Sequence, residues 1–141
     1  MGTISENFSF REFEASEIAK KYGICNVITD WRVRDNIVAL VDNILQPLRN
    51  AWGKPLTINS GYRCPALNKK VCGVPSSQHV KGQAADVGCS DPLKLARLAL
   101  NMGLDYDQMI VYPTFVHFSH TGDRKNRRQV LYAATYKGER L

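Results

Sequence analysis

The sequence has few of the residues that most often build a histidine- or cysteine-based site. It holds three histidines, His79, His117 and His120, and four cysteines, Cys25, Cys64, Cys72 and Cys89. No two cysteines form a C-x-x-C pair, and no histidine follows one at zinc-finger spacing, which excludes the common cysteine-rich zinc modules. No apolar run approaches the roughly 20 residues of a membrane span. Residues 1–10 show no basic stretch followed by an apolar one, so no secretory signal is read there. Synthesis in the cytoplasm is the expectation. Without an export signal, the four cysteines are expected to be free and mostly buried thiols. No internal repeat and no low-complexity tract appears.

What is present is ordinary globular material. The 141 residues are 44% hydrophobic and 23% charged, which fits one domain, residues 1–141, around one core. A chain of this size buries enough surface to fold without disulfides or a metal. A monomer is expected. The formal charge is +6, and residues 121–141 carry +4 of it through Arg124, Lys125, Arg127, Arg128, Lys137 and Arg140 against Asp123 and Glu139. A basic tail can meet nucleic acid, but no base-reading motif accompanies it, so a solvated surface segment is expected.

The patterning predicts helices first and strands late. Ser9 and Glu12 form a capping-box pair that opens a short helix, and a second runs from about Ser16 to Tyr22. After Asp30, the apolar residues Ile37, Leu40, Val41, Ile44, Leu45, Leu48 and Trp52 recur at three- and four-residue steps, which puts them on one helical face. Pro47 should kink that helix, because it lacks the backbone donor. Leu56–Ser60 reads as a strand, Pro65–Val71 as a short helix and Ala84–Val87 as a strand. Asp91-Pro92 starts another helix. Gln108–Tyr112 and Phe115–Ser119 read as a hairpin across Pro113-Thr114, with a last strand over Gln129–Ala134. The predicted fold class is α+β, with N-terminal helices packed on a small, mainly antiparallel sheet.

The short list of histidines can be tested one by one. His79 and Asp86 lie seven residues apart, and His117 lies on a predicted strand. Two imidazoles and one carboxylate suit Zn2+, and three protein ligands leave a fourth position for water. Zinc lowers the pKa of such a water to about 7 and polarises carbonyls. His120 is set aside by geometry. It stands three residues from His117, and strand side chains alternate, so the two point to opposite faces.

The surrounding strings are more specific. Residues 77–86 read S-Q-H-V-K-G-Q-A-A-D, matching S-x-H-x-x-G-x-A-x-D. Upstream stand Ser60-Gly61-Tyr62-Arg63-Cys64-Pro65-Ala66-Leu67-Asn68, and downstream Phe115-Val116-His117-Phe118-Ser119. From about Phe10 to Ser119, this order resembles the M15 family of zinc peptidases, in its small M15A-like branch. The family includes D-alanyl-D-alanine carboxypeptidases and phage endolysins, and shares its fold with the hedgehog domain. The resemblance implies zinc held by His79, Asp86 and His117. It also implies an Arg63 that grips a substrate carbonyl or carboxylate, and Ser77 and Gln78 lining the site for substrate. The implied reaction is hydrolysis of peptidoglycan stem peptides by zinc-activated water, on a cell wall reached after release or after removal of a signal. Gly61 and Gly82 are read as turn residues.

One position departs from the family pattern. The general base of active members is a Glu or Asp three or six residues before the last histidine, where this chain has Thr114 and Val111. Asp107 is the nearest acidic candidate in sequence. Glu12, Glu14 and Glu17 are others, if the N-terminal helices approach. Tyr112 could polarise a carbonyl but is a poor base. The alternative reading is a zinc-containing peptidoglycan-binding or scaffold domain that has lost turnover.

Overall fold

The computed structural model describes residues 3–122 and 124–141. Met1, Gly2 and Asp123, the last counted in the charge of the basic tail, lie outside the described residues. A small hairpin, β1 (Thr3–Ser5) and β2 (Phe8–Ser9), leads into α1 (Phe10–Glu14) and α2 (Glu17–Lys21). The backbone N–H of Ser9 donates to Glu12 at 3.0 Å, as the capping-box reading requires. Ser16 caps α2 through Ala19 N–H, and Asp30 caps α3 (Trp31–Leu40) through Arg32 N–H.

The long amphipathic helix is interrupted where the sequence places its proline. After α3 comes a π-helical turn, Val41–Leu45, and then α4 (Gln46–Trp52). Gln46 N–H reaches back five residues to Val41 C=O. Pro47 has no N–H to give, and its ring crowds the carbonyl four residues back, so the backbone absorbs the misfit as one wide turn. The apolar stripe stays intact across the interruption. Ile37, Leu40, Val41, Ile44, Leu45 and Leu48 are all 0% exposed.

That stripe packs on one face of a five-stranded sheet in the order β3-β4-β6-β5-β7. The strands are β3 (Thr57–Ser60), β4 (Ala84–Gly88), β5 (Gln108–Val111), β6 (Phe115–Ser119) and β7 (Gln129–Tyr132). All neighbours are antiparallel except β5 and β7, which run parallel. Helix α5 (Pro65–Lys70) follows β3, and α6 (Pro92–Asn101) packs against α4, β5 and β6. Ala85, Val87, Val116, Phe118, Met109 and Val111 all face the helices and are 0% exposed. The alternate residues, including Asp86 and His117, therefore share the other face.

Two expectations are corrected. All four cysteines are free thiols, but none is buried: Cys25 and Cys72 are exposed, Cys64 and Cys89 half-buried. The basic C-terminal segment is not merely a solvated appendage. The expected last strand forms there as β7, and the correction lies in the arginines before it: Arg127 and Arg128 pair with Asp107 at 2.7 Å and Asp105 at 3.1 Å. Positive charge confined to the end of the chain is drawn into the fold by two aspartates that precede β5.

Candidate metal centre

One row of residues crosses the sheet face away from the helices. Ser60 stands opposite Asp86, Asp86 opposite His117, and His117 opposite Ile110. A direct antiparallel pair brings side chains to about 5 Å without any special loop. His79 comes from outside the sheet, on the turn between α5 and β4. Gly82 lets that turn close. Its φ is +74°, and a Cβ there would stand 2.6 Å from the Val33 carbonyl oxygen.

The three side chains converge. His117 Nδ1 lies 2.9 Å and His79 Nε2 3.4 Å from the same oxygen, Asp86 Oδ1. The two imidazoles meet edge-on, with ring centroids 5.2 Å apart. One ligand atom from each of His79, Asp86 and His117 lies within 4.8 Å of the others. Their side chains are only 5%, 13% and 12% exposed. Burial acts to raise the Asp86 pKa, but the hydrogen bond with His117 and the neighbouring His79 imidazole outweigh it and hold the carboxyl below the ordinary carboxylate range.

The tautomer of His79 is set from behind. Its Nδ1 is 2.7 Å from the Gly61 carbonyl, which can only accept, so Nδ1 carries the proton and Nε2 presents a lone pair to Asp86. Two imidazole nitrogens and one carboxylate within 4.8 Å of one another are a donor set that fits zinc with a fourth position open. The same segment is tied a second time, because Arg63 N–H donates to the His79 carbonyl at 3.1 Å. Gly61 is needed here for closeness rather than for a turn, which corrects the sequence reading. A Cβ would meet Phe13 Cδ1 at 2.7 Å and Phe13 Cα at 2.8 Å.

Arg63 is the fourth group at the cluster. Its Nη2 lies 3.8 Å from Asp86 Oδ2, while Nε donates to Ser60 Oγ at 3.2 Å and Nη1 to Asn68 Oδ1 at 3.3 Å. Asn68 is itself 3% exposed and donates to the Val74 carbonyl. Ser60 and Asn68 are supporting residues that pattern reading assigned no role, although both lie in the string around Arg63. Tyr112 stands close enough for Asp86 to raise its pKa, after burial, and for Arg63 to oppose that rise.

The other sequence candidates fall elsewhere. Ser77 Oγ accepts from His79 N–H at 3.2 Å, which shapes the loop, and both Ser77 and Gln78 line a cavity of about 290 Å³ that contains His117. Asp107 is 1% exposed but does not join the cluster. Arg127 grips both its oxygens, at 3.0 and 2.7 Å, and Gln78 Nε2 donates to it at 3.1 Å. Those bonds, the Arg127 pair foremost, pull its pKa down to about 2, so Asp107 is corrected from candidate base to structural anchor. Glu12 is occupied at the capping box, Glu14 accepts from Ile28 N–H at 2.7 Å, and Glu17 is exposed in the first turn of α2. Val111 is in the core, and Thr114 is exposed on the hairpin turn. His120 lies just beyond β6, where its Nδ1 accepts from Gly122 N–H at 3.0 Å.

A sequence model described as peptidase M15 matches residues 6–119. The chain belongs to the peptidase M15 family. The matched range contains the whole cluster and Arg63, and it ends at the last residue of β6. The zinc D-Ala-D-Ala carboxypeptidase of Streptomyces albus G is 42% identical over 62 residues, 42% of this chain. Those residues span about a quarter of that relative, 24% of its length. Segment β7 and the two arginines before it lie outside the M15 match.

Proposed function

We propose that this M15 peptidase is zinc-dependent and hydrolyses peptide bonds in peptidoglycan stem peptides, as a D-Ala-D-Ala carboxypeptidase or as an endopeptidase of the endolysin type. The observation that carries the reading is the convergence of His79, Asp86 and His117 beside the guanidinium of Arg63. The substrate class is supported by the likeness to the Streptomyces zinc D-Ala-D-Ala carboxypeptidase. A zinc ion held by the three ligands supplies Lewis acidity toward a carbonyl oxygen and toward water.

The chain's own residues do the positioning. His79 keeps its proton on Nδ1 against Gly61 and offers Nε2. Arg63 is held by Ser60 and Asn68 in a fixed orientation, so its fork is ready for a carboxylate or a developing oxyanion. Tyr112 is a phenol, protonated at neutral pH as any tyrosine is, and burial shifts its pKa further up, so its hydroxyl can donate a hydrogen bond to a carbonyl. Ser77 and Gln78 face the cavity beside His117 and are the residues offered for substrate contact.

The test is direct. Zinc-loaded protein is incubated with purified muropeptides, and new amine termini are followed by mass spectrometry. Released D-alanine or a cut stem supports the reading. Intact peptides, under conditions where an active family member cuts, sink it. A second reading has its own observation: among the described residues, no further carboxylate joins the three-residue cluster. A zinc-containing binding domain without turnover would retain peptidoglycan and zinc in a pull-down while leaving every peptide whole.

A further inference from the structure

Beyond the M15 match, the chain adds cations to a groove next to the metal-ligand cluster. The groove encloses about 780 Å³ and is lined by Arg32, Lys81, Arg124, Lys125 and Arg127, with Asp107 the one carboxylate among its described lining residues. Arg32 is paired with Asp30 at 3.2 Å and Arg127 with Asp107 at 2.7 Å. Lys81, Arg124 and Lys125 make no ion pair among the described residues. Arg127 spends Nε, Nη2 and its backbone N–H on Asp107, and its side chain remains 57% exposed, so Nη1 faces no partner among the described residues.

The groove adjoins the cavity that His117 lines. Ser76, Gln78 and Arg127 line both, and the smaller cavity contains His117. Strand register fixes where the arginines stand. Arg63 follows the Ser60 end of β3, and Arg127 precedes the Gln129 end of β7. Ser60 lies opposite Asp86, near the start of β4, while Gln129 lies opposite Gln108, the start of β5. Ser119, at the end of β6, pairs with Ala84, the start of β4. Both arginines are thus at one end of the sheet, on opposite edges, with the metal ligands between them.

We propose that the groove is a subsite for carboxylates of the substrate peptide, so that the enzyme selects peptides carrying acidic groups on the side of the scissile bond away from Arg63. This rests on the reading of the chain as a peptidase. Several cations converging on a concave surface raise the local concentration of anions and favour their carboxylates over amides. Among the described residues no aromatic side chain lines the groove, so nucleic-acid bases would have nothing to stack on. The amides of Asn36, Gln78 and Gln83 also line it; each gives one N–H to a protein oxygen, of Lys81, Asp107 and Thr121 respectively, and has a second N–H that suits a peptide carbonyl or carboxylate.

The test uses full-length, zinc-loaded protein and isothermal titration calorimetry with two probes, N-acetyl hexaglutamate and N-acetyl hexaglutamine. The acidic peptide should bind at least ~10-fold tighter, and the difference should collapse as salt is raised. The surface double variant Arg124→Gln/Lys125→Gln should lose most of that difference while keeping the wild-type melting temperature. Equal binding of the two peptides overturns the proposal, as does a preference untouched by the double variant. So does tighter binding of a single-stranded oligonucleotide than of hexaglutamate at the same ionic strength. The two readings fail separately. Selective acidic binding with no cleavage of any peptide removes the peptidase reading and keeps the subsite. Cleavage of muropeptides with no acidic selectivity removes the subsite alone.

Discussion

Asp86 and His117 face each other across β4 and β6 as a register pair, and the imidazole Nδ1 lies 2.9 Å from the carboxylate. Two of the three candidate metal ligands are therefore positioned by the sheet hydrogen bonds themselves. Only His79 depends on a loop, and that loop is locked by the Gly61 carbonyl and the Arg63 amide.

Replacing Asp86 by Asn should remove the anion of the ligand set while leaving the side-chain shape. Zinc affinity, measured by competition with a chromophoric chelator, should drop by more than the ~100-fold that loss of an outer-shell partner costs. Unchanged affinity would mean that the ion is not held by this cluster.

Gly61→Ala should act at a distance from the ligands. The added Cβ would press on Phe13 Cα, a backbone atom that cannot swing away. Thermal unfolding should show a loss of about 1–3 kcal/mol, the usual range for overpacking. Because the Gly61 carbonyl orients His79, zinc affinity should fall as well. Lower stability with wild-type zinc affinity would separate the carbonyl from the site.

Arg63→Lys keeps the charge and loses the planar fork that Ser60 and Asn68 hold. The expected result is near-wild-type zinc binding with kcat/KM on muropeptides reduced by about 100-fold. An equal loss of zinc affinity would reassign Arg63 to support of Asp86.

Asp107 makes a pH prediction. Its pKa is about 2 in the folded protein against the ordinary 3.8, chiefly through the hydrogen bonds from Arg127. A depressed carboxyl stabilises the fold above its unfolded value, and that contribution is lost as pH falls from about 3.8 through about 2. Urea midpoints measured across that window should decline in the wild type and decline less in Asp107→Asn, which should be weaker at neutral pH. Parallel curves for the two proteins would show that the pair carries no linkage.

Much of this was legible in the linear chain. The stripe from Ile37 to Leu48 and the hairpin across Pro113-Thr114 came through, because their periodicities survive in the fold. The π-helical turn was foreshadowed by Pro47 as a kink, but the form of the break depends on keeping the stripe buried on both sides. The N-terminal hairpin left no readable pattern, since β1 and β2 are three and two residues long. Cysteine burial was misjudged because exposure is a property of neighbours, not of the thiol.

The string around His79 and Asp86, the Arg63 segment and the strand of His117 pointed to one cluster of candidate ligands and to the family before any coordinates. Their chemistry is local, and residue type with spacing specifies it. What only the tertiary structure decided is the company each residue keeps. Asp107 looked available as a base until Arg127, twenty residues later, was found on it. The tail's last strand was readable, but its parallel pairing with β5, which brings Arg127 beside the cavity that His117 lines, was not. Long-range pairing carries no periodic trace in the chain, because it is set by which buried and charged surfaces meet once the sheet has formed.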